Sequence, residues 1–527
     1  MKNPDWLKDA IFYQIYPQSF YDSNKDGIGD IPGIIQKLDY IKSTGCNAIW
    51  LNPCFVSPFK DAGYDIADYY KVDPRYGTNA DLKRLFRTAK SKGLRVLLDL
   101  VPGHTSIDCP WFAESCKAER NKYSDWYIWT DSIWNNTGGK LNAIGGYAER
   151  DAQYITNFFY IQPALNFGFA KPDPKCRWQQ PVDAPGPKMV RNEMKKIMRF
   201  WLDMGADGFR VDMAPSLVKF DHNGKIVSEF WRDVRKMLDR EYPDAAIVSE
   251  WGDPPKALKA GFHMDFLLHF GVSPKGYLPL FRRQEKSFFS RHSKGNIMEF
   301  LNYYMGVYRA TKKDGYICIP SGNHDMSRLN DNFTKRELEI ILVFLFTMPG
   351  VPFFYYGDEI GMKYLGKTPS KEGGYGRTGS RTPMQWSSAK NAGFSSAPSS
   401  KLYLPIDKDK NRPTVEKQEN DPDSLLNEFR TLAKLRKSNA ALQADGEFIL
   451  LHAKEKSYPF IYMRKNSGKT FVIALNPSKY ELNVPLNGRK INGSLREKLV
   501  SKTSLVTKSN VYELQMQPQS YAIYEVI

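Results

Sequence analysis

Eight short runs rich in β-branched and aromatic residues, separated by stretches of helical period, constrain this chain more than any other feature. They are AIFYQIYP from Ala10, AIWLNP from Ala48, RVLLDLVPGH from Arg95, GFRVDMA from Gly208, AIVSEW from Ala246, MDFLLHF from Met264, YICIPSGNHD from Tyr316 and VPFFYYGDE from Val351. A strand followed by a helix and then another strand has to cross over, and crossovers give parallel pairing. Eight such units in succession predict a closed (β/α)8 TIM barrel, an α/β architecture.

Two regions break the rhythm. Residues 105–170, after the third run, form an aromatic-rich, irregular insertion too long for an ordinary βα loop, and are expected to be a small subdomain. From about residue 443 the helical periods stop, and short alternating strands such as KSYPFIYMRK and KTFVIALNP predict an antiparallel β-sandwich. The expected organisation is a barrel over 1–104 and 171–442, the inserted subdomain over 105–170 and a C-terminal β domain over 443–527. Residues 363–424, rich in Gly, Ser, Lys and Pro, read as a long excursion after the eighth strand.

Charge bears on the choice of partners. Lys and Arg outnumber Asp and Glu by 75 to 58, a formal +17, but the basic residues are spread over helical faces such as KLDYIKSTG and RNEMKKIMRFW without a compact cluster. Such a distribution is a solvated surface, and no nucleic-acid partner is expected. No run approaches the roughly 18 apolar residues of a membrane span, so no membrane association is expected either. The opening MKNPDWLKDA has no apolar signal-peptide core, which makes a cytoplasmic protein the expectation, and a periplasmic or secreted one the alternative had a leader been removed. Six Cys without a CxxC pair read as free thiols in a reducing compartment; Cys109 and Cys116 are the one pair close enough in sequence to suggest a bridge. The oligomeric state is not specified by the sequence, and a monomer is the expectation.

In a barrel of this kind the chemistry sits at the C-terminal ends of the strands, so acidic residues there are informative. In GFRVDMA the period of two puts Arg210 and Asp212 on one side, with Phe209 and Val211 facing the helices. A guanidinium beside Asp212 favours its ionised form, as a nucleophile requires. Glu250 ends the fifth run next to Trp251, an apolar neighbour that raises its pKa and keeps a proton available. Asp325 follows His324 at the end of the seventh run, and His104 ends the third. Taken singly, each reads as a helix cap or a satisfied structural histidine. Together, at the ends of four different strands, they are the equipment of a retaining glycosidase, whose two principal carboxyls lie roughly 5–5.5 Å apart.

DLVPGH, GFRVDMA, SEW and SGNHD, in that order, resemble the four signature regions of the α-amylase superfamily, glycoside hydrolase family 13. The resemblance covers nearly the whole chain. It implies Asp212 as nucleophile, Glu250 as general acid/base and Asp325 as the third carboxylate, with Arg210, His104 and His324 lining the subsite of the reacting glucose. DAGYDIADY and SRTPMQW further resemble the oligo-1,6-glucosidases and related exo-acting α-glucosidases. That resemblance implies that Asp61 pairs with Arg381 to grip the terminal glucose, that Tyr64 is its stacking platform, and that the substrate is a short α-glucoside losing one glucose at a time. Two departures bear on linkage. QPALN has Ala164 where the family has Asp, and Met213 follows the nucleophile, where a Val accompanies α-1,6 and a smaller residue α-1,4 preference. Linkage preference stays open.

DSNKDGIGD, from Asp22 to Asp30, imitates the start of an EF-hand: Asp22, Asn24 and Asp26 alternate, Gly27 allows the turn, the Ile28 carbonyl can face inward, and Asp30 follows. The twelfth position is nevertheless Gly33 where a bidentate Glu is needed, and the preceding run is a strand. The loop is therefore read as the first βα connection. Its likeness to the calcium site of oligo-1,6-glucosidases implies a structural Ca2+ on Asp22, Asn24, Asp26, Ile28 and Asp30; no organic cofactor is expected. GYGRTG from Gly374 matches GxGxxG in letters only, because no strand precedes it and no helix follows. The same motifs also suit a trehalose-synthase-like isomerase or glucosyltransferase, which shares the first half-reaction. A non-catalytic binding barrel is the reading of another class, and the complete carboxylate set speaks against it.

Overall fold

A computed structural model of the protein describes residues 2–135, 137–270, 274–486, 491, 493–508 and 511–527. Each of the eight runs contains a strand: β1 Phe12–Ile15, β2 Ala48–Leu51, β3 Arg95–Leu100, β4 Gly208–Val211, β5 Ala246–Ser249, β6 Met264–Phe266, β7 Tyr316–Cys318 and β8 Phe353–Tyr355. They pair in parallel in chain order, and β8 returns to β1 with Phe353 opposite Phe12. Between β7 and β8 the ring closes through a parallel bridge of Pro320 to Phe353 and through the Val351 N–H, which donates to the Ile317 carbonyl at 3.1 Å. The chain is an α/β barrel of the expected class.

Alternation along the strands sorts their side chains between two cores. Phe12, Trp50, Leu97, Val248, Phe266 and Phe353 fill the interior of the barrel, while Tyr13, Ile49, Leu98, Phe209 and Val211 belong to the larger core shared with the helices. The barrel is thus plugged by apolar rings, and Asp99, Arg210 and Asp212 gather at its upper end. Gly208 opens β4 because its φ is +142° and a Cβ there would fall 1.8 Å from the Ala246 carbonyl oxygen. Without a side chain, β4 can lie directly against β5, the two strands that deliver Asp212 and Glu250. The helices Asn79–Ser91 and Lys335–Thr347 begin with capping boxes, Thr78 with Asp81 and Thr334 with Glu337, each cap stabilising its helix by about 1 kcal/mol.

Between β3 and the helix Pro185–Met204 the chain carries little regular structure beyond the helix Pro110–Ser115 and a hairpin of Ala143–Ile144 with Tyr154–Ile155. An aromatic cluster organises it: the Phe112 ring meets Tyr127, Trp129 and Tyr154 at centroid distances of 5.0, 5.6 and 5.1 Å. At the C-terminal end, strands from Glu447 to Val526 form an antiparallel sheet built on the long strand Val511–Val526. Its period-two pattern buries both faces. Phe460, Tyr462, Phe471 and Ile473 join the barrel's outer core, and Ile461, Met463, Val472 and Ala474 make a second core with Leu514 and Met516.

Two buried arginines cross this joint. Arg436 donates to the carbonyls of Phe346 and Gly350 at 2.8 and 2.6 Å, and Arg464 to those of Thr347 and, at 2.6 Å, Gln443. They take up carbonyls at the end of the helix Lys335–Thr347 that a helix cannot satisfy by itself, where its dipole also favours a cation. All six thiols are unpaired, Cys109 and Cys116 included. Among the described residues no helix is long and apolar enough to cross a membrane.

Candidate active site

Above the apolar plug the strand ends open on a cavity of about 540 Å³, lined by Asp61, Tyr64, His104, Asp212, Glu250 and Asp325 among others. Asp61, Tyr64 and His104 are at most 7% exposed and form its floor, whereas Phe158 and Phe270, 48% and 44% exposed, stand on its rim.

Asp212 continues β4, with its N–H donating to the Leu100 carbonyl at 2.8 Å. Met213 then takes a left-handed conformation, φ 42° and ψ 40°, and its N–H points at Glu250 Oε2, 3.1 Å away. A non-glycine residue held there stores of order 1–3 kcal/mol of strain. The strained turn ties the backbone behind Asp212 to the Glu250 carboxyl, and the Met213 side chain lines the cavity.

One guanidinium serves three carboxylates. Arg210 Nη1 lies 2.8 Å from both Asp99 and Asp212, and its Nη2 lies 2.6 Å from Glu250. Asp99 also accepts from the Trp50 indole at 3.0 Å and the Tyr64 hydroxyl at 2.9 Å. Three buried acids cannot all ionise around a single cation. Burial pushes Asp99 and Asp212 up to about 6 against the pull of Arg210. Burial pushes Glu250 further, to about 8, because the neighbouring Asp212 charge adds to it while Arg210 opposes. Near neutral pH the arrangement therefore holds an ionised Asp212 beside a protonated Glu250. The two titrate as a coupled pair. A reaction needing this charge state should follow a bell in kcat/KM, its acid limb near pH 6 where Asp212 gains a proton and its alkaline limb near pH 8 where Glu250 loses one. A rate flat from about pH 5 to 9 would contradict this division of charge.

Asp325 is set differently. Burial alone would raise it, but His324, Arg381 and Arg377 together outweigh burial and hold its carboxyl well below the usual range. Arg377 and Arg381 reach its Oδ1 at 3.0 and 2.9 Å. The amides of Gln14 and Asn52 point at His324 Nδ1 from 3.0 and 3.2 Å, so Nδ1 accepts and the proton sits on Nε2, 3.3 Å from Asp325 Oδ2. Burial brings this imidazole down to about 3, so it is neutral near pH 7 and sets a charge against Asp325 only in the acid range where that carboxyl titrates.

The expected wall of the glucose subsite is reached only in part. His104 lines the cavity, yet both ring nitrogens are engaged, Nε2 with the Tyr64 carbonyl at 3.0 Å and Nδ1 with the Asn157 amide at 3.1 Å. Arg210 and His324 are only 2% and 1% exposed and hold the carboxylates from behind. The Tyr64 ring stacks on His324 at 5.3 Å and faces the cavity.

The expected Asp61–Arg381 pair is not formed. Asp61 faces Arg377 at 3.6 Å and accepts from the Gln162 amide at 2.7 Å, while Arg381 is buried and donates to the His324 carbonyl and to Asp325 at 2.9 Å each. The reason is the 3-10 turn Tyr375–Ser380. In such a turn residues three apart eclipse and residues four apart diverge. Arg377 therefore looks into the cavity and Arg381 behind it. Burial pushes Asp61 up to about 6, with Gln162 and Arg377 pulling the other way. Sequence reasoning missed Arg377 and Asp99. The first lay in a loop set aside as a false nucleotide motif; the second was visible as a lone acid at an inward position of an apolar strand.

The first loop closes on itself. Asp22 accepts from the N–H groups of Lys25 and Gly27 at 2.7 and 2.8 Å, and Asp26 from that of Ile28 at 2.8 Å. Asp30 caps the helix Ile31–Gln36 by accepting from Gly33 at 2.6 Å. A Cβ on Gly33 would stand 2.1 Å from the Tyr21 carbonyl oxygen, so the EF-hand's twelfth ligand has no room. Among the described residues no group of three or more His, Cys, Asp or Glu is placed to hold a metal ion. As it stands, the segment is a series of Asx turns.

Comparison with known proteins gives a consistent setting. A family model described as "Alpha amylase, catalytic domain" matches residues 14–445. The glucan 1,6-alpha-glucosidase of Streptococcus pneumoniae is 29% identical, over 95% of this chain and 96% of that protein. The trehalose synthase/amylase TreS of Mycobacterium tuberculosis is 31% identical, over 92% of this chain and 84% of that one. Among solved structures, an alpha-glucosyl transfer enzyme, XgtA, superposes with a TM-score of 0.80 at 26% identity, covering 100% of both chains.

Proposed function

The chain belongs to the α-amylase catalytic-domain family, and from that membership we propose that it is a retaining, exo-acting α-glucosidase that releases glucose from the non-reducing end of short α-linked glucosides. One observation carries the reading: Asp212 and Glu250 share one sugar-sized cavity whose floor is crossed by the Asp61–Arg377–Asp325 ion network.

An Asp212 oxygen attacks the anomeric carbon while the Glu250 proton passes to the departing glycosidic oxygen, leaving a glucosyl ester on Asp212. Glu250, now anionic, takes a proton from water; the water oxygen attacks the same carbon, the ester bond breaks, and glucose leaves with its configuration retained. Asp325, held ionised by Arg377 and Arg381, accepts from sugar hydroxyls and opposes the positive charge that develops on the ring. Tyr64 offers its ring to the apolar face of the sugar. Asp61 and Arg377 engage the terminal hydroxyls and leave no passage for a further sugar, so glucose units are removed singly.

The similarity to TreS and to XgtA favours a second reading, in which a sugar hydroxyl replaces water in the second step. Product analysis on maltose, isomaltose, sucrose and trehalose decides. Glucose as the one new product of maltose supports hydrolysis, trehalose from maltose supports isomerisation, and cleavage within long starch chains refutes the closed pocket.

A structural calcium ion on Asp22, Asn24, Asp26, Ile28 and Asp30 is the finer part of the proposal. Its support is a donor set made wholly of oxygen, as a hard cation takes; the loop's own N–H groups already use the carboxylates, so an ion would have to share them. An ion at hundredfold excess over its Kd stabilises the folded chain by about 2.7 kcal/mol, and the melting temperature should rise with calcium relative to chelator. Coincident melting curves would remove the ion. A cytoplasmic location and a monomeric state complete the proposal, the former supported by six unpaired thiols; cell fractionation and light scattering test them.

A further inference from the structure

A second concavity, of about 690 Å³, lies on the insertion between β3 and the helix Pro185–Met204. It contains none of the carboxylates discussed above. Its walls combine three aromatic side chains, Trp134, Phe158 and Tyr160, with the amides of Asn135 and Asn142. The aromatics are 85%, 48% and 65% exposed. Large apolar side chains scattered singly over a surface are ordinary, but three in one groove interleaved with amides are not. Flat apolar faces beside hydrogen-bonding groups of fixed direction are what a sugar presents in reverse: an apolar ring face edged with hydroxyls.

The backbone around the most exposed ring is held in place. The Gln153 amide donates to the carbonyls of Ile133 and Asn135 at 2.8 and 2.7 Å, on either side of Trp134, and Asp151 accepts from the Ile133 N–H at 2.9 Å. The indole is thus projected from a braced loop into solvent, where folding gains nothing from it. Phe158 joins this groove to the reaction cavity, since it lines both. With Asp61 and Arg377 across the floor, a bound chain can leave the cavity only over the rim, and Phe158 is on that rim.

We propose that the groove of Trp134, Phe158 and Tyr160 is a second carbohydrate site, which holds the glucose units of a longer α-glucan that trail out of the reaction cavity. The inference rests on the glucosidase reading and adds a chain-length preference to it. The occupant is an α-linked glucooligosaccharide, bound by ring stacking and amide hydrogen bonds without a charge.

The test uses the full chain silenced as Asp212→Asn, titrated calorimetrically with maltose and isomaltose and with the matching hexasaccharides. The hexasaccharide of the preferred linkage should bind about tenfold more tightly than its disaccharide. Trp134→Ala, and separately Tyr160→Ala, placed in the same background should reduce that gain to less than about twofold. Both side chains are largely exposed, so neither truncation threatens folding. Equal affinity for the two chain lengths in the silenced parent, or a gain untouched by both truncations, overturns the groove while leaving the glucosidase reading standing. Failure of every sugar to bind, together with an inactive wild-type chain, overturns both.

Discussion

An Asp212→Asn chain is expected to lose about four orders of magnitude or more in kcat/KM, on sugar and aryl leaving groups alike, because no other group can form the covalent bond to the anomeric carbon. The loss should be one of chemistry and not of folding. Asn keeps the shape of the side chain, and Arg210 retains Asp99 at 2.8 Å and Glu250 at 2.6 Å, so no buried cation is stranded. Removing one of three acids around that guanidinium also removes the charge that helps to keep Glu250 protonated, and Glu250 should titrate lower in the variant. Three readings belong together: the rate on a nitrophenyl α-glucoside, the melting temperature, and added azide, which should enter the vacated face and give the β-glucosyl product. Activity within tenfold of the parent would place the nucleophile elsewhere.

The barrel was legible in the sequence because its strands are buried on both faces, so they read as continuous apolar runs whatever their register. AIWLNP holds the strand Ala48–Leu51 and AIVSEW the strand Ala246–Ser249. Where the run was longer than the strand, as in YICIPSGNHD with its strand at Tyr316–Cys318, the surplus was the loop carrying His324 and Asp325. The period of two also assigned Arg210 and Asp212 to one side of β4, since a strand's geometry follows from its backbone alone. It could say nothing of Arg377 against Arg381. Both lie in a glycine-rich segment without period, and the tight turn Tyr375–Ser380, four residues of offset and a neighbouring Asp325 decide which one looks into the cavity. The acidic first loop was ambiguous for a related reason. Alternating Asp and Asn suit a metal and suit Asx turns equally; what is excluded is the EF-hand, by the strand that precedes the loop and by Gly33 at the twelfth position, where a Cβ would meet the Tyr21 carbonyl.

Glu250→Gln should separate the two halves of the reaction. On a disaccharide the departing oxygen needs a proton, and without Glu250 the rate should fall by about 10²–10⁴. A nitrophenolate leaves without help, so the first step on an aryl glucoside should survive and appear as a burst of nitrophenol, followed by a slow phase limited by the missing base. Azide needs no base; it should relieve the slow phase by attacking the glucosyl ester and give the α-glucosyl azide, the opposite anomer to that expected from Asp212→Asn. The pH dependence gives an independent readout. Burial and the Asp212 charge push Glu250 up to about 8, so the alkaline limb of the parent on a disaccharide belongs to loss of this proton, and it should vanish from the variant's residual rate on that disaccharide while the acid limb near 6, set by Asp212, persists. An alkaline limb that survives the substitution would mean that another group donates the proton, and buried Asp265, raised to about 8 with its Oδ1 on the Trp251 N–H at 3.1 Å, would be the first to examine. Because Asp265 is held behind the Glu250 loop and does not line the cavity, the geometry favours loss of the limb.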